Sequence, residues 1–336
     1  MTADSIQTPN AAPPAIETAT GPVESFDRHT LMLLGGVVAF LTLATVVGRL
    51  LGRRDLSEAQ ERVIANLNAR INAWWVMTAV FGGVMVVGFV GSVVLFGVTS
   101  FLALREFITL APTERGDHRT LFWAFFIITP FQYYLVAIEW YGLYSIMIPV
   151  YAFLFVPIRN VLAGQVARFL SRTAMVQWGL MIAVYLVSYA PAILTLEIPG
   201  RGGYAGNLLL FFVIVVQMSD VFQYIWGKLI GRRPVAPNIS PNKTWEGLIG
   251  GIATATLIGA AMAWATPFSW RQAAFISLAI AIVGFFGGLT MSAIKRDRGV
   301  KDFGDLIPGH GGILDRIDSL CFAAPVFFHL TRYYFT

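Results

Sequence analysis

Two polar stretches of the chain carry residue types suited to phosphate chemistry. The second, residues 292–319, reads SAIKRDRGVKDFGDLIPGHGGILDRIDS and gathers Lys295, Arg296, Arg298 and Lys301 with Asp302, Asp305, Asp315 and Asp318. Cationic side chains suit polyphosphate. Carboxylates suit a hard divalent cation such as Mg2+, which binds through one or two carboxylates plus substrate phosphates. Gly309, Gly311 and Gly312 let a backbone approach a phosphate closely, and His310 between them is placed to donate to a phosphate oxygen. Phosphoryl and nucleotidyl transfer need mainly this: positioning, a metal and positive charge around the reacting phosphorus. In the first stretch, residues 219–247, Asp220 sits near the end of an apolar run, where an acid is expensive and by default functional. Pro241, Asn242, Lys243 and Thr244 read as a turn able to hold a triphosphate, with Thr244 to Glu246 opening the next helix. Each feature alone has a plainer explanation. A basic loop commonly only sets topology, a glycine pair makes a turn, and Asp315-Arg316 pairs on a surface. Order and spacing together point further.

The elements that must position these groups are written in the composition. The 336 residues are 56% hydrophobic and 13% charged, against about 25% charged in soluble proteins, and the mean hydropathy is +0.67. The solvent is mostly lipid, so each span must close its backbone hydrogen bonds internally and is helical. The net charge of +5 suits anionic headgroups and phosphates, not nucleic acid. One cysteine, Cys321, excludes an internal disulfide, and four scattered histidines argue against zinc.

Residues 1–29 read as a disordered tail, with acids where a secretory signal would be basic. Residues 30–72 read as an extra transmembrane helix, 31–51, plus an interfacial amphipathic helix in 53–72 carrying Val63, Ile64, Leu67, Ile71 and Trp74. A solvated linker helix is the alternative for 53–72. Residues 73–200 hold the N-terminal and middle spans, and 201–336 the catalytic region. The apolar run 73–104 is too long for one crossing and is broken by Gly82, Gly83, Gly88 and Gly91, favouring a hairpin of two short spans. Further spans fall near 121–138, 142–157, 177–195, 206–226, 248–266, 272–293 and 320–335. The expectation is an all-α polytopic integral membrane protein of nine or ten transmembrane helices. Ten puts all five basic segments (49–72, 105–120, 159–172, 228–243 and 295–301) on the cytoplasmic side.

The second stretch resembles the signature of the phosphatidate cytidylyltransferases, the CDP-diacylglycerol synthases. The matching residues are Ser292, Lys295, Arg296, Lys301, Asp302, Gly304, Pro308, His310, Gly311, Gly312, Asp315, Arg316 and Asp318. The first stretch is similar to the family's other block through Asp220, Tyr224, Gly227, Lys228, Gly231, Pro237, Ser240, Pro241, Lys243, Thr244, Glu246 and Gly247. A weaker likeness reaches Arg105-Glu106. The resemblance implies that phosphatidate and CTP give CDP-diacylglycerol and pyrophosphate at a site facing the cytoplasm of a bacterial inner membrane. It implies catalytic roles for Asp220, Lys243, Lys295, Arg296, Asp302, Asp315 and Asp318. It places nucleotide and phosphate at Ser240, Pro241, Asn242, Lys243, Thr244, Lys301, His310, Gly311, Gly312 and Arg316. Mg2+, with K+ as a further candidate ion, would lie at Asp315 with Asp220 and Asp318. A homodimer stays open.

The sequence departs from the family pattern at Gly288 and Met291, where an Asp and a Glu are usual, and at Val221, where a small polar residue is common. Asp305 is an extra carboxylate that offers a replacement metal ligand. Two other readings stay open: a CTP-dependent enzyme acting on another lipid phosphate or a lipid alcohol, and a catalytically weak paralogue that binds lipid or nucleotide.

Overall fold

The computed structural model describes residues 28–53, 57–199, 205–306 and 311–336. Ten long helices dominate them: α1 (Arg28–Leu51), α2 (Glu58–Val87), α3 (Phe89–Thr109), α4 (Arg115–Ala137), α5 (Tyr141–Val161), α6 (Phe169–Thr195), α7 (Ala205–Ile230), α8 (Trp245–Ala265), α9 (Trp270–Asp297) and α10 (Leu314–Phe335). Among the described residues nine of them, α1 to α9, are long and apolar enough to cross a membrane, α2 doing so over Leu67–Val87. Helix α10 has 22 residues and carries Asp315, Arg316, Asp318, His329 and Arg332. Other helices surround its centre, so that Ala323, Ala324, Phe327 and Phe328 are fully buried, while His329 and Arg332 near its end are exposed. The chain is thus an all-α polytopic membrane protein. The expected tail lies, apart from its last two residues, outside the described residues.

The run 73–104 breaks at Gly88, whose φ of +83° is open to glycine and strained for other residues. Two helices result, matching the two short spans expected there. The separate amphipathic helix expected in 53–72 does not form. Helix α2 runs unbroken from Glu58, started by a capping interaction in which the Ser57 amide donates to Gln60 Oε1 at 3.0 Å. No glycine or proline lies between Glu58 and Phe81 to interrupt it, and Ile71 is buried against Gly48 of α1.

Helices α7, α8, α9 and α10 pack into one group, with α3 and α6 against α10 and α1 against α2 and α7. The α7–α8 contact is backbone on backbone: a Cβ added at Gly247 would stand 2.7 Å from the Gln223 carbonyl oxygen. Small residues permit such an approach between membrane helices. The five basic segments meet at one end of the bundle. There Arg172 donates to both oxygens of Asp117, at 2.8 and 2.6 Å, with both side chains buried. Arg296 donates to the Ile239 carbonyl at 3.3 Å, and Arg70 lies over Tyr224. The shared side inferred from Lys and Arg positions is therefore seen as a shared end.

Candidate active site

At that end, between α7 and α8, the chain makes a two-stranded antiparallel ribbon, β1 (Pro234–Ala236) and β2 (Ser240–Thr244). Residues 241–244 are therefore strand, not the turn expected. The reason is local. Glu246 Oε2 accepts from the Arg232 and Arg233 amides at 3.0 and 3.2 Å, and the Trp245 amide donates to the Arg233 carbonyl at 2.9 Å. These bonds fasten the ribbon's base to the first turn of α8, and Thr244 caps that helix by accepting from the Gly247 amide at 3.2 Å. Ser240 is half-buried in β2, and Pro241 and Asn242 are exposed on it.

Lys243 reaches from β2 to the surface of α9. A Cβ built on Gly288 would stand 2.9 Å from Lys243 Nζ, 3.2 Å from Ser319 Oγ and 3.6 Å from Asp318 Oδ2. The missing side chain at 288 is thus the space the ammonium uses. The ring of Phe285 lies 5.0 Å from Nζ. Among the described residues no hydrogen bond or ion pair engages Nζ. Asp220 of α7 and Asp318 of α10 are within electrostatic reach of it and of each other. Ser319 sits between these carboxylates: its amide donates to Asp318 Oδ1 at 2.8 Å, and its hydroxyl faces Asp220. Two carboxyl groups and an ammonium without an ion-pair partner among the described residues therefore meet in a pocket-like junction of α7, α9, α10 and β2.

Beside this pocket the same residue types are committed to one another. Lys295 Nζ donates to Asp315 Oδ1 at 2.7 Å, and both side chains are nearly buried. Asp315 Oδ2 accepts from the Phe303 and Gly312 amides at 2.8 and 3.0 Å. Glu106, at the end of α3, accepts from the Ile313 and Leu314 amides at 2.9 and 2.8 Å. It fills the anion-binding N-terminus of α10. A Cβ on Gly312 would collide with the Glu106 carboxylate. Gly311, at φ +77°, lies against Asp302 and Asp315. The close backbone approach at Gly311 and Gly312 is used here by Asp302, Asp315 and Glu106.

Arg296 is exposed and donates to the Ile239 and Val300 carbonyls at 3.3 and 2.9 Å, tying the ribbon to the loop after α9. Lys301, Asp302 and Asp305 are exposed on that loop, and Arg316 is half-buried beside Asp315. His310, with Pro308 and Gly309, lies outside the described residues. Met291 is fully buried in the apolar core. Glu106 was passed over as a site residue; its signal was an acid ending an apolar span. Among the described residues no three His, Cys, Asp or Glu side chains gather as metal ligands. The donors that fit a divalent cation are Asp220 and Asp318, two oxygen ligands with phosphate left to complete the shell. Asp315 has both oxygens engaged.

The chain matches the cytidylyltransferase family over residues 68–334 and belongs to it. It is 40% identical over 304 residues to the uncharacterized protein YnbB of Escherichia coli (strain K12), covering 89% of this chain and 97% of that one. It is 35% identical over 203 residues to a phosphatidate cytidylyltransferase of Haemophilus influenzae, covering 57% of this chain and 65% of that one. It is 46% identical over 113 residues to the phosphatidate cytidylyltransferase of Synechocystis sp., covering 33% and 38%. The matches to these two named enzymes thus span under two thirds of each enzyme's length.

Proposed function

We propose that this protein transfers the cytidylyl group of CTP to phosphatidate, giving CDP-diacylglycerol and pyrophosphate. One observation carries the reading: Lys243 Nζ stands uncommitted over Gly288, facing Asp220 and Asp318. A lipid phosphate oxygen bonds to the α-phosphorus of CTP while the bond from that phosphorus to the bridging oxygen breaks, and pyrophosphate leaves with the electron pair. No covalent enzyme intermediate is needed. Lys243 holds a phosphate of the nucleotide and offsets charge that builds on the leaving group. Asp220 and Asp318 would hold Mg2+, which when bound neutralises phosphate charge. K+ has no residues assigned to it. Lys295, Asp315 and Glu106 keep the start of α10, and with it Asp318, in place. Gly288 gives up a carboxylate and leaves the space that the Lys243 ammonium uses, while Asp305 is exposed on the loop after α9. The active site faces the cytoplasm in this reading, since the basic segments lie at its end of the bundle.

The test is CTP consumption by purified protein in detergent–phosphatidate micelles with Mg2+, with lipid product and pyrophosphate identified. The expected products are CDP-diacylglycerol and pyrophosphate, both lost in Lys243→Gln. Phospholipid with CDP, or no turnover while CTP still binds, would overturn the reading.

A further inference from the structure

Cations also gather outside the pocket, on its α2–α7 side. The Arg70 guanidinium of α2 lies 5.8 Å from the centre of the Tyr224 ring, and the Lys228 ammonium of α7 lies 5.9 Å from the same centre. Arg316 of α10 is within electrostatic reach of Arg70 and also of Asp302, Asp315 and Asp318. Among the described residues neither Arg70 nor Lys228 has a carboxylate within ion-pair distance. Each cation thus has one aromatic ring beside it, and a ring offsets only part of an unanswered charge. The arrangement asks for an anion.

The depth of the cluster says which anion. Arg70 falls near the start of the apolar stretch Leu67–Val87, and Lys228 is in the last turn of α7. Both side chains are exposed. Beside them Ile225, Leu229 and Ile230 are exposed apolar residues, as suits a surface facing acyl chains. Charges placed where an apolar surface ends sit at headgroup level. Arg316, within electrostatic reach of both Arg70 and Asp318, lies between the cluster and the pocket.

We propose that Arg70 and Lys228, on either helix beside Tyr224, dock the phosphate headgroup of the lipid substrate before it moves past Arg316 to the Lys243 pocket. The proposal deepens the cytidylyl-transfer reading and rests on it for the identity of the lipid. The triphosphate of CTP shares the chemistry, and the experiment separates the two.

Wild-type protein, Arg70→Gln, Arg70→Lys and Lys228→Gln are compared in two measurements. The first is retention of phosphatidate against neutral diacylglycerol by the detergent-purified protein without CTP, read by native mass spectrometry. The second is KM for phosphatidate, as surface fraction, and for CTP. Loss of one charge-assisted phosphate contact is expected to weaken phosphatidate retention and raise its KM about tenfold. Arg70→Lys recovers most of this, and KM for CTP moves less than about twofold. Equal phosphatidate retention by wild type and Arg70→Gln would overturn the proposal. So would a rise in KM for CTP with none for the lipid, which would assign the cluster to the nucleotide. If wild type retains phosphatidate through Arg70 yet forms no CDP-lipid, docking stands and the catalytic reading falls. If CDP-diacylglycerol forms while retention ignores Arg70, docking alone falls.

Discussion

The ribbon between α7 and α8 and the last turn of α9 each present a lysine near aspartates, and they use them in opposite ways. Lys295 is nearly buried and paired with Asp315 at 2.7 Å. Lys243 has aspartates within electrostatic reach and, among the described residues, no ion-pair or hydrogen-bond partner. A paired ammonium is a joint, because its charge is already answered. An unpaired one over a glycine is available to a ligand. Residue type and spacing nominate both lysines equally; only their partners set the two apart.

That contrast can be broken by four substitutions. Lys295→Met leaves Asp315 buried without its partner and is expected to cost about 3–5 kcal/mol of stability. Thermal unfolding in detergent measures it; an unchanged midpoint would mean that Lys295 is not a joint. Lys243→Gln is expected to lower turnover about 100- to 1,000-fold, in line with removing one charge-stabilising donor, while the unfolding midpoint stays put. A matching loss of stability would place Lys243 with the scaffold. Glu106→Gln removes the charge at the start of α10 and leaves one amide short of its carboxylate acceptor, for about 1–3 kcal/mol. The same unfolding measurement checks it, with lost turnover following lost structure. Gly288→Ala puts a methyl 2.9 Å from Lys243 Nζ. The displaced ammonium should reduce turnover about tenfold, roughly 1.4 kcal/mol, with little change in unfolding. Full activity in this variant would show that the seat over Gly288 is not where Lys243 works.

Much of the bundle was legible because lipid leaves few choices. Apolar runs gave the spans, Gly88 gave the break, and arginines and lysines gave the common end. The long start of α2 was misread because its apolar stripe resembles an interfacial helix; only contact with Gly48 of α1 shows that the stripe is partly buried. The ribbon was read as a turn because Pro241 and Asn242 are turn formers in isolation. The bonds from Glu246 to Arg232 and Arg233 override that preference and are invisible without the fold. In the candidate site, residue types pointed to two polar stretches that the fold brings together, but not to the pairings within them. Nothing local in Gly311 and Gly312 says that Glu106, some 200 positions upstream, occupies the amides after them.

That last contact has a consequence for how the protein comes into being. Glu106 and its amide donors are 207 and 208 positions apart, so a ribosome must pass Leu314 before the carboxylate finds its place. Until then Asp220 and Lys243 lack Asp318, and the cluster has no α10 wall. Such distant pairings form late, since chain closure precedes any reward. The growing polypeptide therefore enters the bilayer with this cluster incomplete, and α10 is the helix that completes it.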